Sequence, residues 1–163
     1  MKLLLPVATC IAMILSGCAS APAAVPMSSE QATSVLSRYH WRLSRASDEN
    51  GKYIDALFAR HDKPLQLDFQ NGHVHVTNAC NAMNGKVVIH DDKLQVKPMI
   101  HTMMACMDPA INGLDKAISS RLRKPDTFVV DTDATPPTLT LTTPDKDTLV
   151  FVGQPKQDSP SQP

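Results

Sequence analysis

Aromatic side chains are scarce in this 163-residue chain, which has one Trp, two Tyr and four Phe. A core must therefore rest on Leu, Ile, Val and Met, and the length suits one ordinary domain. An excess of either charge is also missing, because 16 Lys and Arg balance 16 Asp and Glu. Phosphate backbones demand a basic footprint, so no nucleic-acid partner is expected. No long run of one charge sign marks an interaction tail. The His-Glu-x-x-His, Gly-x-Ser-x-Gly and Gly-rich phosphate-loop motifs are absent, and with them the usual signs of zinc-protease, serine-hydrolase and nucleotide chemistry. No catalytic residues and no cofactor are expected.

What is present begins at the amino terminus. Lys2 is followed by a nearly unbroken apolar run, Leu3 to Leu15, interrupted by Pro6 and Thr9. The run falls short of the roughly 20 residues a membrane-spanning helix requires, and it fits the apolar region of a signal peptide. Leu15-Ser16-Gly17-Cys18 comes next. It resembles the lipobox of bacterial lipoproteins, in which small residues admit the peptidase and the cysteine thiol receives a diacylglycerol. Residues 1–17 are thus expected to be removed, with Cys18 as the lipid attachment site and a membrane as the partner it reaches. Several acyl chains on one residue make detachment negligible, at about 0.8 kcal/mol per buried methylene. Ala19 follows the cysteine where Asp would signal retention in the inner membrane. By resemblance to Gram-negative sorting, this implies an outer-membrane lipoprotein with a periplasmic domain.

Four cysteines occur. Cys10 falls in the removed segment and Cys18 takes the lipid, leaving Cys80 and Cys106. An even remainder in an oxidising compartment reads as one disulfide. The alternatives are two buried thiols packing as small hydrophobes, or half of a metal site.

Residues 18–35 are rich in Ala, Pro, Ser and Thr and poor in large apolar side chains, so they read as a flexible tether. Residues 153–163 read as a disordered tail. The domain between them, 36–152, alternates apolar and polar residues at strand period. His40 to Leu43, Leu65 to Phe69, His73 to Val76, Lys86 to His90, Lys93 to Val96, Thr127 to Val130, Leu139 to Leu141 and Leu149 to Phe151 are the expected strands. Asn71-Gly72 and Asp91-Asp92 supply tight turns. One segment has helical period instead. Asp108 is an N-cap, Pro109 suits the first helical position, and Ile111, Leu114, Ile118 and Leu122 fall on one face. Arg121, Arg123 and Lys124 sit where the helix dipole favours cations, and Pro125 ends the element. The expected fold is α+β and mainly β: a curled, barrel-like antiparallel sheet packed with one amphipathic helix.

Several of these residues, taken in order, resemble a known family. Trp41-x-Leu43 opens the domain, Cys80-Asn81 precedes Gly85, Thr102-x-Met104-Ala105-Cys106 precedes the helix, and Leu139-x-Leu141 and Leu149-x-Phe151 close it. The pattern is similar to the META domain, the family that includes the HslJ-type heat-shock lipoproteins of Gram-negative bacteria. The resemblance implies an envelope location and an association with stress tolerance and drug resistance, without a defined catalytic reaction. The family usually has Gly before the Cys-Asn pair, where this chain has Ala79. Alanine tolerates positive φ poorly, so a different local turn is expected there.

Two side-chain groups invite a metal reading. His73 and His75 share a strand face and could chelate, although a solvated face explains them as well. Met99, His101 and Met103 carry the soft donors that select Cu(I), in a stretch that also holds Met104, Cys106 and Met107. The structural explanation is that Met104 and Cys106 face the core and that Met103 and Met107 fill gaps. The leading functional expectation is a non-enzymatic envelope lipoprotein that acts by binding or scaffolding. The alternatives are a periplasmic Cu(I)-binding module and an inhibitor of a secreted hydrolase.

Overall fold

The computed structural model describes residues 27–124 and 126–156. The expected signal peptide, Cys18 and most of the expected tether lie outside those residues.

The chain folds into helix α1 (Ser29–Ser37), strand β1 (Tyr39–Ser47), a 3-10 turn (Asp55–Leu57), and strands β2 (Gln66–Gln70), β3 (His73–Thr77), β4 (Met83–His90), β5 (Lys93–Val96) and β6 (Ile100–His101). Helix α2 (Pro109–Leu122) and strands β7 (Asp126–Asp131), β8 (Thr138–Thr142) and β9 (Thr148–Pro155) complete it. Neighbouring strands run in the order β3-β2-β1-β9-β8-β7-β5-β4, and β3 also pairs with β4. The sheet is therefore an eight-stranded antiparallel barrel closed on itself, with the two-residue β6 added beside β4.

Alternation fills the barrel. Trp41 and Leu43 point inward from β1, Leu67 and Phe69 from β2, Val74 and Val76 from β3, and Leu149 and Phe151 from β9. Their polar neighbours face out, as a half-buried sheet demands. A bulge in β1, between Leu43 and Arg45, resets the phase so that Ala46 is again buried. The β2–β3 turn has Asn71 and Gly72 both at positive φ (52° and 72°), as a two-residue hairpin requires. Gly85 marks a close approach, since an added Cβ would lie 2.5 Å from Val96 Cγ1 and 2.6 Å from Met99 Cγ.

The two helices close the two ends. Helix α1 reaches β1, β2, β4 and β7, strands on opposite sides of the ring, and buries Ala32 and Leu36 in the mouth. It begins with a capping box in which Gln31 N donates to Ser28 Oγ (3.2 Å) and Ser28 N to Gln31 Oε1 (2.9 Å). This corrects the expected tether, which ran through residue 35. The segment from Ser28 is a capped helix, fixed because Ala32 and Leu36 fall one turn apart. Among the described residues it also raises the number of α-helices from the expected one to two.

Helix α2 crosses the opposite mouth with Leu114, Ile118 and Leu122 buried. Gln95 Nε2 donates to Arg123 O (3.0 Å), and Arg121 Nε to Asp147 Oδ2 in the β8–β9 turn (2.8 Å). The start agrees with the sequence, since Ala110 N donates to Asp108 Oδ1 (2.8 Å). The expected tail from residue 153 also needs correction. Strand β9 continues to Pro155, and beyond it Lys156 N donates to Arg38 O (3.0 Å). Pairing with β1 orders residues whose composition alone suggested none. No helix among the described residues is long and apolar enough to cross a membrane.

Candidate functional site

The loop between β6 and α2 lies over the α2 mouth, and four groups hold it there. Cys80, just after β3, forms a disulfide with Cys106, just before α2, with their Cα atoms 5.9 Å apart. Asn81 is buried, and its Oδ1 accepts from Thr102 Oγ1 (2.8 Å) and Met104 N (2.7 Å). Asp115 on α2 accepts from Cys80 N (2.9 Å) and from Asn81 Nδ2 (2.7 Å). Asn112, one turn earlier, accepts from Cys106 N (2.9 Å) and donates to Cys106 O. A buried polar group is costly unless paired, and Asn81 finds its partners on the loop and on α2.

This network gives the two cysteine motifs their physical sense. The Asn after Cys80 reads the backbone of Met104, and the Thr two residues before Met104 completes its amide oxygen. Alanine at position 79 is accommodated because the left-handed residue is Asn78 (φ 65°), whose Nδ2 donates to Pro64 O (2.9 Å). Asparagine adopts that conformation far more readily than alanine. The sequence pointed to the disulfide pair, but Asn112 and Asp115 were legible only as polar positions on a helix.

The loop leaves its methionines outside. Met103 is 94% exposed and Met107 fully so, with Met104 and Ile100 also exposed. The expected inward packing of Met104 is thus overturned, since only its backbone is held. The soft-donor set Met99, His101 and Met103 is divided. Met99 and His101 line one cavity of about 360 Å³ with Asn81, Asn112 and Asp115, whereas Met103 is not part of that lining and faces solvent. Met99 also packs against the core beside Gly85. Cys106 brings no thiolate, being in the disulfide.

His73 and His75 do share the outer face of β3. Asn84 Nδ2 donates to His75 Nδ1 (3.0 Å), and His73 Nδ1 donates to Asn71 O (3.0 Å). In the same cross-strand row, His40 Nδ1 donates to Asp68 Oδ1 (2.5 Å). Among the described residues, no cluster of three or more His, Cys, Asp or Glu has the geometry to hold a metal ion. Asp91-Asp92 forms the β4–β5 turn, with Asp91 at φ 51°.

Two further features escaped sequence reading. Asp126 opens β7 pointing inward, 1% exposed, with neither carboxylate oxygen hydrogen-bonded among the described residues. Burial pushes its pKa up to about 7, against the lowering influence of Lys124 and Lys93. The second is an apolar groove of about 600 Å³ between the β1–β2 connection and the first half of α2. Tyr53 and Phe58 stack along one side with ring centroids 4.5 Å apart, and Ala110 and Gly113 form the other. Desolvation, and after it the negative charge of Asp55, raise the Tyr53 phenol above its ordinary value.

The META domain family model matches residues 34–156, from within α1 to the residue after β9. The chain belongs to the META domain family. A protein from Burkholderia xenovorans with a structure solved by NMR is 26% identical to this META domain protein, at a TM-score of 0.67; the match covers 90% of this chain and all of that one. A DUF4847 family protein from Bacteroides vulgatus, known from a crystal structure, shares the fold alone, with 12% identity and a TM-score of 0.52 over 77% of this chain and 99% of that one. No curated protein matches the chain.

Proposed function

We propose that this META domain protein is a non-enzymatic outer-membrane lipoprotein of the HslJ type, tethered through Cys18, with a periplasmic domain that supports envelope stress or drug tolerance by binding or scaffolding. The observation that carries the binding role is the filled barrel. Trp41, Leu67, Leu139 and Phe151 are wholly buried inside it, and helices cover both mouths, so partners have the outer surface to meet. The Cys80–Cys106 disulfide supports export, because such bonds persist in oxidising compartments. The lipobox around Cys18 supports the anchor.

Mass spectrometry of the native protein is expected to find a chain beginning at acylated Cys18, and Cys18→Ala is expected to leave the membrane fraction after a salt wash. An unmodified Met1, or a Cys18→Ala protein still held by membranes, would overturn the anchor. Deleting the gene is expected to sensitise cells to heat and to antibiotics that act on the envelope. Unchanged sensitivity to both would remove the stress role.

A further inference from the structure

We propose that the groove beside α2 is a binding site for small amphiphiles with an apolar body and a cationic head, a role that does not depend on the membrane anchor. Its volume, about 600 Å³, is within the range of about 300–1,000 Å³ typical of small-molecule sites. Its walls suit an apolar body: the stacked Tyr53 and Phe58 on one side, Ala110 and Gly113 on the other.

The charge on the rim selects the head. Among the described residues, Asp55 and Asp108 both line the groove, no Lys or Arg does, and His61 is the remaining titratable neighbour besides Tyr53. Among the described residues, neither carboxylate takes part in an ion pair. The partial positive charge of the α2 N-terminus favours anions, but Asp108 already caps it through one oxygen, on the Ala110 amide. The aromatic faces add a further attraction for a cation.

The groove is also set in advance. Leu57 is buried beneath it, Ile54 N donates to Ala46 O (3.1 Å), and Asp48 Oδ1 accepts from Asn50 N and Lys52 N (both 2.9 Å). These bonds fix the connection that carries the aromatic pair, so little ordering cost remains for a ligand. At Gly113 an added Cβ would meet nothing within 4 Å, so a larger side chain can enter the groove without disturbing the fold.

The test is an NMR titration of the full chain with decyltrimethylammonium, decyl sulfate and decyl maltoside, each below its micelle-forming concentration. The ammonium probe is expected to shift the Ala59, Ala110 and Gly113 amides saturably and to bind at least tenfold more tightly than either other probe. Asp55→Asn with Asp108→Asn, which keeps a capping side chain, is expected to bring the three probes within about threefold. Gly113→Leu, in a helix that favours Leu over Gly, is expected to abolish the shifts while melting no lower than the parent. Equal affinity for all three probes in the parent protein, the absence of saturable shifts, or full binding by a folded Gly113→Leu variant would overturn the proposal.

Discussion

Among the described residues, Asp126 has no partner for either oxygen, in a barrel otherwise filled by apolar side chains. Its folded pKa, raised to about 7, exceeds the ordinary aspartate value of about 3.9, so the native state holds this proton more tightly than the unfolded chain. The protonated form is the stabilised one. Stability is therefore fully present below about pH 4 and is lost as pH rises toward 7, by on the order of 1 kcal/mol per pH unit at most. Asp126→Asn is expected to remove that slope, read as urea midpoints between pH 4.5 and 8; parallel curves for parent and variant would contradict it. The residue could have been flagged from sequence. Asp126 and Phe128 share one strand face, and an acid in register with an inward Phe is a conflict that alternation alone reveals.

Helix α2 was legible because cap, proline and apolar spacing agree. Helix α1 was not, because its Ser, Thr and Ala composition conceals just two buried positions, Ala32 and Leu36. Its capping box was nonetheless in plain view at Ser28 and Gln31. If α1 is a plug and not a tether, Leu36→Ala is expected to cost roughly 3 kcal/mol of unfolding free energy, measured by denaturant titration; a neutral result would return the segment to the linker. Strand β4 was expected to begin at Lys86. It begins at Met83 because Gly85 lets Val96 and Met99 press against the strand. Strand β6 is two residues long and offers too little period to detect.

For the molecule as a whole, alternation, turn chemistry and the cysteine count were enough to indicate a curled sheet tied by a disulfide. The seam that closes the ring was not readable, because the pairing of β5 with β7 and of β9 with β1 depends on contacts distant in sequence. The Cys80–Cys106 link spans 26 residues, a loop whose closure stabilises by roughly 3–4 kcal/mol in the chain-entropy model. Reduction is expected to lower stability by about that amount and to loosen the methionine loop while the barrel persists, seen as faster amide exchange at Thr102 and Met104. Unchanged exchange there would show that Asn81 and Asn112 hold the loop alone.

The pairing of β1 with β9 runs from Tyr39–Pro155 to Ser47–Thr148, so the start of β1 and the end of β9 lie side by side at the α1 rim. Tension applied between those ends would peel this ladder one pair at a time, the mechanically weak direction. Tension between the amino-terminal end and a molecule gripped at the α2 rim would instead shear the whole ladder at once. Load carried from the start of β1 to the α2 rim therefore runs along the strong axis of the sheet.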